Sequence, residues 1–402
     1  MTMPERDETT KRAALVNGVG LTRFGRLPGQ NALEIQARAA AAALDDAGIA
    51  ADTVDAVIVG YATTLNHIMP ANLLAEYLGI RPALAFGMNV GGATGLAMVA
   101  EASRLVRGGS ADTVLVVGGE DRASGQSRDT AISTLAQVGH ETHEVALGAN
   151  LPSYYALLAS DYLHRHGLER GALAPLAVQM RQNAASHPGA QFSKPISVED
   201  VVGARLIAEP LGLLDCCPIS DGGAAFVISS RDTNSKSVAV AGIGQTNPHQ
   251  HVSEADFDGF GAGESAEQAM RAAGVTLADL DVFGIYDSFT ITLAILLEAI
   301  GLAEPGTAGK RANEGAFSAT GRYPLNLHGG LLSYGHSGVA GGMAHMAEVV
   351  TQIRGEAGVR QLKRSPDLGL LHADGGVLSA HVSLVLGGRH SSNVRTAIGA
   401  TA

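Results

Sequence analysis

Cys216 and Cys217 are the only thiols in this 402-residue chain, and they sit side by side. Adjacent cysteines are poor partners for each other, because a disulfide needs a Cα separation and Cβ geometry that neighbours do not offer, so no disulfide framework is expected. His140, His143, His164 and His166 supply imidazoles in the middle of the chain. The run HETHE is not the HExxH zinc pattern, and no cysteine or carboxylate cluster accompanies it, so these histidines are read as solvated or capping groups and no metal site is expected. In DYLHRHG, the basic residues before a closing glycine suit the partial negative charge of a helix C-terminus. No phosphate-cradling P-loop is present. Two glycine-rich turns stand out instead, each opening a helix: NVGGATGLAMVAEASRLVRGG from Asn89 and NLHGGLLSYGHSGVAGGMAHMAEVV from Asn326.

The elements around these turns repeat. Residues 13–20 (AALVNGVG) and 238–244 (VAVAGIG) each read as a buried strand ending in glycine. The first leads into a helix beginning near Asn31, where Asn31 and Glu34 fit an N-cap and its reciprocal partner, and Gly48 closes it. Strand DAVIVGY follows at residues 55–61. The second leads to a helix over residues 265–273 stopped by Gly274, then strand DVFGIY at residues 281–286. AGIAADTVDAVIV and AGVTLADLDVFGI overlay with Ala, Gly and Asp in step. Each half is read as ending in a strand, DTVLVVGGE near Asp112 and HVSLVLGG near His381. The shared order of four elements predicts a duplicated α/β unit. A long insert, residues 121–213, carries helical patterns at 152–166 and 172–186.

Apolar residues make up 46% of the chain, glycine numbers 51 and charged residues are only 17%, the mix of a buried α/β body with close backbone approaches. A formal net charge of −11 without any Lys/Arg-rich run argues against nucleic acid as a partner, and an anionic ligand needs a local basic patch. The first twelve residues are charged and lack an apolar core, so they do not read as a signal peptide, and no run reaches membrane-spanning length. A cytoplasmic, non-membrane protein with flexible tails at residues 1–12 and 390–402 is the expectation.

LLDCCPISDGGAAFVISS at residues 213–230, NLHGGLLSYGHSG at 326–338 and VNGVG…TRFGR near the start resemble thiolases of the sterol-carrier-protein-X, or lipid-transfer, type. The resemblance spans about residues 13 to 388. It implies the thiolase fold, two similar halves stacked as αβαβα: an N-terminal half at 13–230 that includes the insert as a loop domain, and a C-terminal half at 237–389. It also implies a homodimer, and a pocket where one helix start from each half converges. Unpaired N–H groups and partial positive charge at such helix starts stabilise an enolate or oxyanion on a thioester. Position by position, Gly92 stands where the family has its nucleophilic cysteine and Ala373 where it has the acid/base cysteine. Tyr286, in YDSF, stands at the Asn or His of the third motif. Only His336, in GHS, is retained. Cys216 and Cys217 match a CCP segment of the family, which makes them structural thiols. The family's main-chain oxyanion donors fall on Gly92 and Gly375.

Acyl transfer normally passes through an acyl-enzyme, and glycine offers no nucleophile. Retro-aldol cleavage of a β-hydroxyacyl-CoA needs none, only proton transfer and enolate stabilisation. Cysteine-less relatives among steroid side-chain acyl-CoA aldolases use the tyrosine that Tyr286 matches. Tyr286 is therefore expected as the acid/base, with His336 polarising the thioester oxygen or sharing the proton transfer. A tyrosine acting as base near neutrality needs a positive charge or donor beside it, since a free phenol titrates near about 10. Asp287, His372, Asp374 and Tyr334 are secondary pocket candidates. The rival readings are an acetyl-CoA acetyltransferase with another nucleophile and a non-catalytic acyl-CoA-binding subunit. A coenzyme A thioester is the substrate expected, with no separate cofactor. The resemblance also implies a small zinc-ribbon/OB-fold protein as partner.

Overall fold

The computed structural model describes residues 12–233 and 236–388. The tails expected at 1–12 and 390–402 lie outside these, apart from Arg12. Among the described residues the strands are, in chain order, β1 (Leu15–Leu21), β2 (Ala56–Gly60), β3 (Leu84–Met88), β4 (Thr113–Asp121), β5 (Leu206–Ala208), β6 (Leu211–Gly212), β7 (Asp221–Ser229), β8 (Val238–Thr246), β9 (Val282–Ile285), β10 (Leu368–Gly375) and β11 (Ala380–Gly387). β5 and β6 form a small hairpin. The other nine join in the order β3-β2-β4-β7-β1-β8-β11-β10-β9.

That order is a two-fold pattern. Outward from the middle, each half runs first strand, antiparallel partner, next antiparallel partner, then a parallel strand: β1-β7-β4-β2 on one side and β8-β11-β10-β9 on the other. The two half-sheets join edge to edge through two residue pairs, Leu15 with Ala239 and Val16 with Val238. The duplication is therefore real, but one strand correspondence differs from the sequence reading. DTVLVVGGE (β4) is the counterpart of β10, not of HVSLVLGG (β11), whose partner is β7. The insert separates β4 from β7 in the first half, whereas β10 and β11 form a direct hairpin in the second. That difference in spacing disguised the match.

The helices complete five layers. Helix Ala32–Ala47 packs on β1, β7 and β4, and helix Ala262–Ala273 packs on β8, β11 and β10. Between the half-sheets lie helices Thr94–Arg107 and Val339–Arg354, packed on each other and each touching strands of both halves. The first strands explain how the outer layers fit. A Cβ on Gly18 or Gly20 would lie 2.0 and 2.1 Å from the carbonyls of Ala43 and Ala39, and one on Gly242 or Gly244 would lie 2.0 and 1.9 Å from those of Ala269 and Ser265. GVG and GIG thus let a helix lie directly on a strand, which no other residue type permits. Local signals set the boundaries. Asn31 and Glu34 form the expected reciprocal cap, at 3.0 and 3.1 Å, and Gly48 and Gly274 end their helices in the left-handed conformation.

The insert folds as helices Arg128–Ala136, Leu151–His166, Ala174–Ala184 and Val198–Gly203 plus the β5–β6 hairpin. His164 and His166 fall in the last turn of their helix before Gly167, while the His140 and His143 rings lie 4.6 Å apart in a loop. No group of three or more His, Cys, Asp or Glu among the described residues has metal-holding geometry, and no helix there is long and apolar enough to cross a membrane.

Candidate active site

Both central helices begin at one cavity. Gly91 and Gly92, just before helix Thr94–Arg107, and Gly338, the N-cap of helix Val339–Arg354, line it. Tyr286 projects from the end of β9, His336 comes from the loop before Gly338, and Asp374 from the end of β10; all three line the same space. The insert supplies an apolar wall of Ala131, Ile132, Leu135, Val138, Leu151 and Ile207. The cavity opens to solvent, and its apolar wall suits an acyl chain.

The tyrosine fills the place of the missing thiol. Its hydroxyl lies 2.9 Å from His336 Nε2, and a Cβ built on Gly92 would sit 2.3 Å from that same hydroxyl and 2.5 Å from the Asp374 carbonyl. Glycine at position 92 is thus the steric condition for a phenol at this spot. Behind it, loops 90–92 and 374–376 touch through their backbones: a Cβ on Gly375 would meet the Val90 carbonyl at 2.1 Å. Gly375 itself lines an adjoining cleft that shares Gly91, Gly376 and Tyr61 with the cavity.

Burial decides where the protons rest. Tyr286 is 4% exposed, and burial first, then the Asp374 charge, raises its pKa far above that of a free phenol. The largest influences all raise it, so of the acid/base roles expected for Tyr286 the resting geometry favours proton donor. Burial, then the nearby Arg122 charge, pushes His336 down to about 3, which keeps the imidazole neutral. Its Nδ1 has no partner. Asp374 is the group poised near neutrality. Burial raises it to about 7, opposed by hydrogen bonds from the Leu378 amide and the Tyr155 hydroxyl, and its Oδ1 is left without a partner. Cys216 and Cys217 also line the cavity, and burial pushes the Cys216 thiol up to about 12 and the Cys217 thiol higher. Neither is an activated nucleophile.

The remaining sequence candidates lie off the cavity. Asp287 is fully buried and accepts from the Leu331 amide at 2.7 Å and bonds His345 Nε2 at 3.0 Å, so it braces the turn leading to His336. His372 faces the outer helix side, bonded to Ser383 at 2.7 Å and His381 at 3.2 Å. Tyr334 packs its ring against Phe24, His187 and His328. Sequence reasoning overlooked three lining residues. Tyr155, on an insert helix, stacks on Phe289 with centroids 4.3 Å apart and donates to Asp374 and the Gly376 carbonyl; nothing in its local pattern marks it. Tyr61 and Arg122 follow the carboxyl ends of β2 and β4. Ligands of parallel sheets gather at such strand ends, and that rule, applied to the charged triplet Glu120-Asp121-Arg122 after an apolar run, would have singled out Arg122.

Comparison with known proteins agrees with this architecture. The thiolase N-terminal domain family matches residues 15–232, and the thiolase C-terminal domain-like family matches residues 244–388. The chain belongs to the thiolase family. Similar thiolase-family proteins include the acetyl-CoA acetyltransferase of Methanothermobacter thermautotrophicus, 30% identical over 92% of this chain and 99% of that one. The 17-hydroxy-3-oxo-4-pregnene-20-carboxyl-CoA lyase of Mycobacterium tuberculosis is 32% identical over 86% of this chain and 92% of its own length. Among solved structures, an Ltp2-ChsH2(DUF35) aldolase superposes with a TM-score of 0.82 at 29% identity, covering 94% of this chain and 98% of that one. A transferase and lyases thus stand at similar distance from this thiolase-family chain.

Ionisation of Asp374 has consequences for rate and for stability. If Asp374 accepts the substrate proton, turnover falls as pH drops through about 7, and Asp374→Asn removes that limb; a pH–rate profile without the limb in the wild type excludes the carboxylate from the chemistry. For stability the sign is opposite. A carboxyl whose folded-state value is raised from 3.8 to about 7 contributes stability fully below its unfolded value and loses it as pH rises through the folded one. Asp374→Asn is accordingly expected to flatten the decline in urea-unfolding midpoint over that interval.

Proposed function

We propose that this thiolase-family protein is a lyase that cleaves the Cα–Cβ bond of a β-hydroxyacyl-CoA by a retro-aldol reaction. The observation that carries the reading is the phenol of Tyr286, bonded to a neutral imidazole, in the volume a cysteine at position 92 would need. In the reaction, ionised Asp374 takes the β-hydroxyl proton as the C–C bond breaks, releasing a ketone or aldehyde and leaving the electron pair in a thioester enolate. Tyr286 then gives its proton to the α-carbon, yielding the shorter acyl-CoA, and recovers one from protonated Asp374 through the cavity. His336 orients the Tyr286 hydroxyl. The amides of Gly92 and Gly375, at the head of a helix and the end of a strand, are the proposed donors to the enolate oxygen. The apolar wall from the insert suits a bulky acyl group. Similarity to lyases and an aldolase supports the reaction class, and steroid side chains are one acyl class consistent with it.

The acetyltransferase relative favours a second reading, acyl transfer, and the two separate by mass. On incubation with acetyl-CoA and longer acyl-CoAs, no covalent acyl adduct is expected on the intact protein, whereas a β-hydroxyacyl-CoA is split into carbonyl product and shorter thioester. An adduct, above all on Cys216 or Cys217, would replace the lyase reading with a transferase. We further propose a homodimer that works with a second, small protein of zinc-ribbon/OB-fold type; similarity to an Ltp2-ChsH2(DUF35) aldolase supports the presence of a second protein. The assay therefore includes such a partner.

A further inference from the structure

Arg122 lines the cavity 7% exposed, yet its guanidinium makes no hydrogen bond or ion pair with any described residue, and its Nε is buried without an acceptor. No nearby carboxylate among the described residues meets the guanidinium at hydrogen-bond distance, although the charges of Arg122 and Glu120 attract each other. Glu120 accepts from the Thr63 amide at 2.7 Å and from its hydroxyl, and Asp374 bonds Tyr155 and the Leu378 amide. Burying a guanidinium without hydrogen-bond acceptors is costly unless a ligand supplies them. The cavity it lines also presents the apolar side chains of Leu135, Leu151, Ile132 and Ile219. A guanidinium left without hydrogen-bond acceptors at the wall of such a cavity has the fork geometry that receives a planar carboxylate.

We infer that Arg122 binds a carboxylate carried on the acyl chain, so that the preferred substrates are acyl-CoAs of hydrophobic, carboxylated acids rather than plain fatty acyl-CoAs. This deepens the acyl-CoA lyase reading and rests on it. Arg122 belongs to the recognition of the acyl end, while Tyr286, Asp374 and His336 act on the bond that breaks. Arg122 lines the same cavity as His336 and Tyr286, so the carboxylate lies in the space that takes the acyl chain.

Binding, rather than turnover, tests the inference separately from the reaction. Calorimetric titration compares malonyl-, succinyl-, glutaryl- and adipyl-CoA, each with the uncharged acyl-CoA of equal chain length, in the wild type and in Arg122→Met. At least one carboxylated member is expected to bind about 10- to 100-fold tighter than its uncharged match in the wild type, the range of a charge-assisted hydrogen bond, and that ratio collapses toward one in Arg122→Met. Arg122→Lys retains part of it. Uncharged acyl-CoAs that bind as well as every carboxylated one, or a preference that survives Arg122→Met, overturn the inference and leave the lyase reading standing. Failure of all the thioesters to bind overturns both.

Discussion

Tyr286→Phe is expected to lower kcat for β-hydroxyacyl-CoA cleavage about 10²- to 10⁴-fold, the usual contribution of a positioned general acid, while leaving acyl-CoA affinity close to that of the wild type. The reason is the resting protonation of the site. Burial and the Asp374 charge hold the phenol protonated, and the neutral His336 ring orients it at 2.9 Å. Phenylalanine keeps the ring that fills the volume beside Gly92 and removes only the proton. The cost to folding is limited to one hydrogen bond, about 0.5–1.5 kcal/mol, so a folded, ligand-binding and inert variant is the expected phenotype. Unchanged turnover would remove Tyr286 from the mechanism and leave Asp374 and His336 to account for it.

Gly92→Cys carries the second large effect, and it runs against intuition drawn from the family. Restoring the missing thiol does not restore a thiolase. The new Cβ would meet the Tyr286 hydroxyl at 2.3 Å and the Asp374 carbonyl at 2.5 Å, so the phenol or the loop must shift. Overpacking of this kind costs about 1–3 kcal/mol, and displacing the phenol also breaks its bond to His336. The expected result is a lower melting point together with loss of cleavage. Adding Tyr286→Ala to Gly92→Cys opens the space again, and the pair should couple favourably by about 0.5–3 kcal/mol in a double-mutant cycle of unfolding free energies. Additive single effects would mean that residue 92 and the phenol do not compete for the same volume. In this chain a side chain at position 92 and the Tyr286 phenol thus compete for one volume.

Much of the scaffold was legible because it is written in local terms. The Asn31–Glu34 cap, the stops at Gly48 and Gly274, and the GVG and GIG strands each follow from backbone rules that operate within a few residues, and the structure keeps all of them. The misread counterpart of β4 came from the insert, which moves the antiparallel partner β7 far along the chain while β10 and β11 stay adjacent. Pattern matching follows chain order, and a sheet does not. Among site residues, Tyr286, His336, Gly92 and Asp374 sit where recognisable motifs end at the cavity. His372 and Tyr334 neighbour those motifs in sequence, but strand alternation and the turn after Asn326 direct them into packing instead.

The sequence by itself determined that the chain is a duplicated α/β body of the thiolase type and that no cysteine stands at the nucleophile position; both depend on residue type and spacing alone. Only the tertiary structure decided the ionisation of the site. Burial holds the proton on Tyr286, keeps His336 neutral and lifts Asp374 to about 7, and it leaves Arg122 Nε without an acceptor among the described residues. Desolvation and the distance between charges are properties of a folded volume, assembled here from both halves and the insert, and no stretch of sequence contains them.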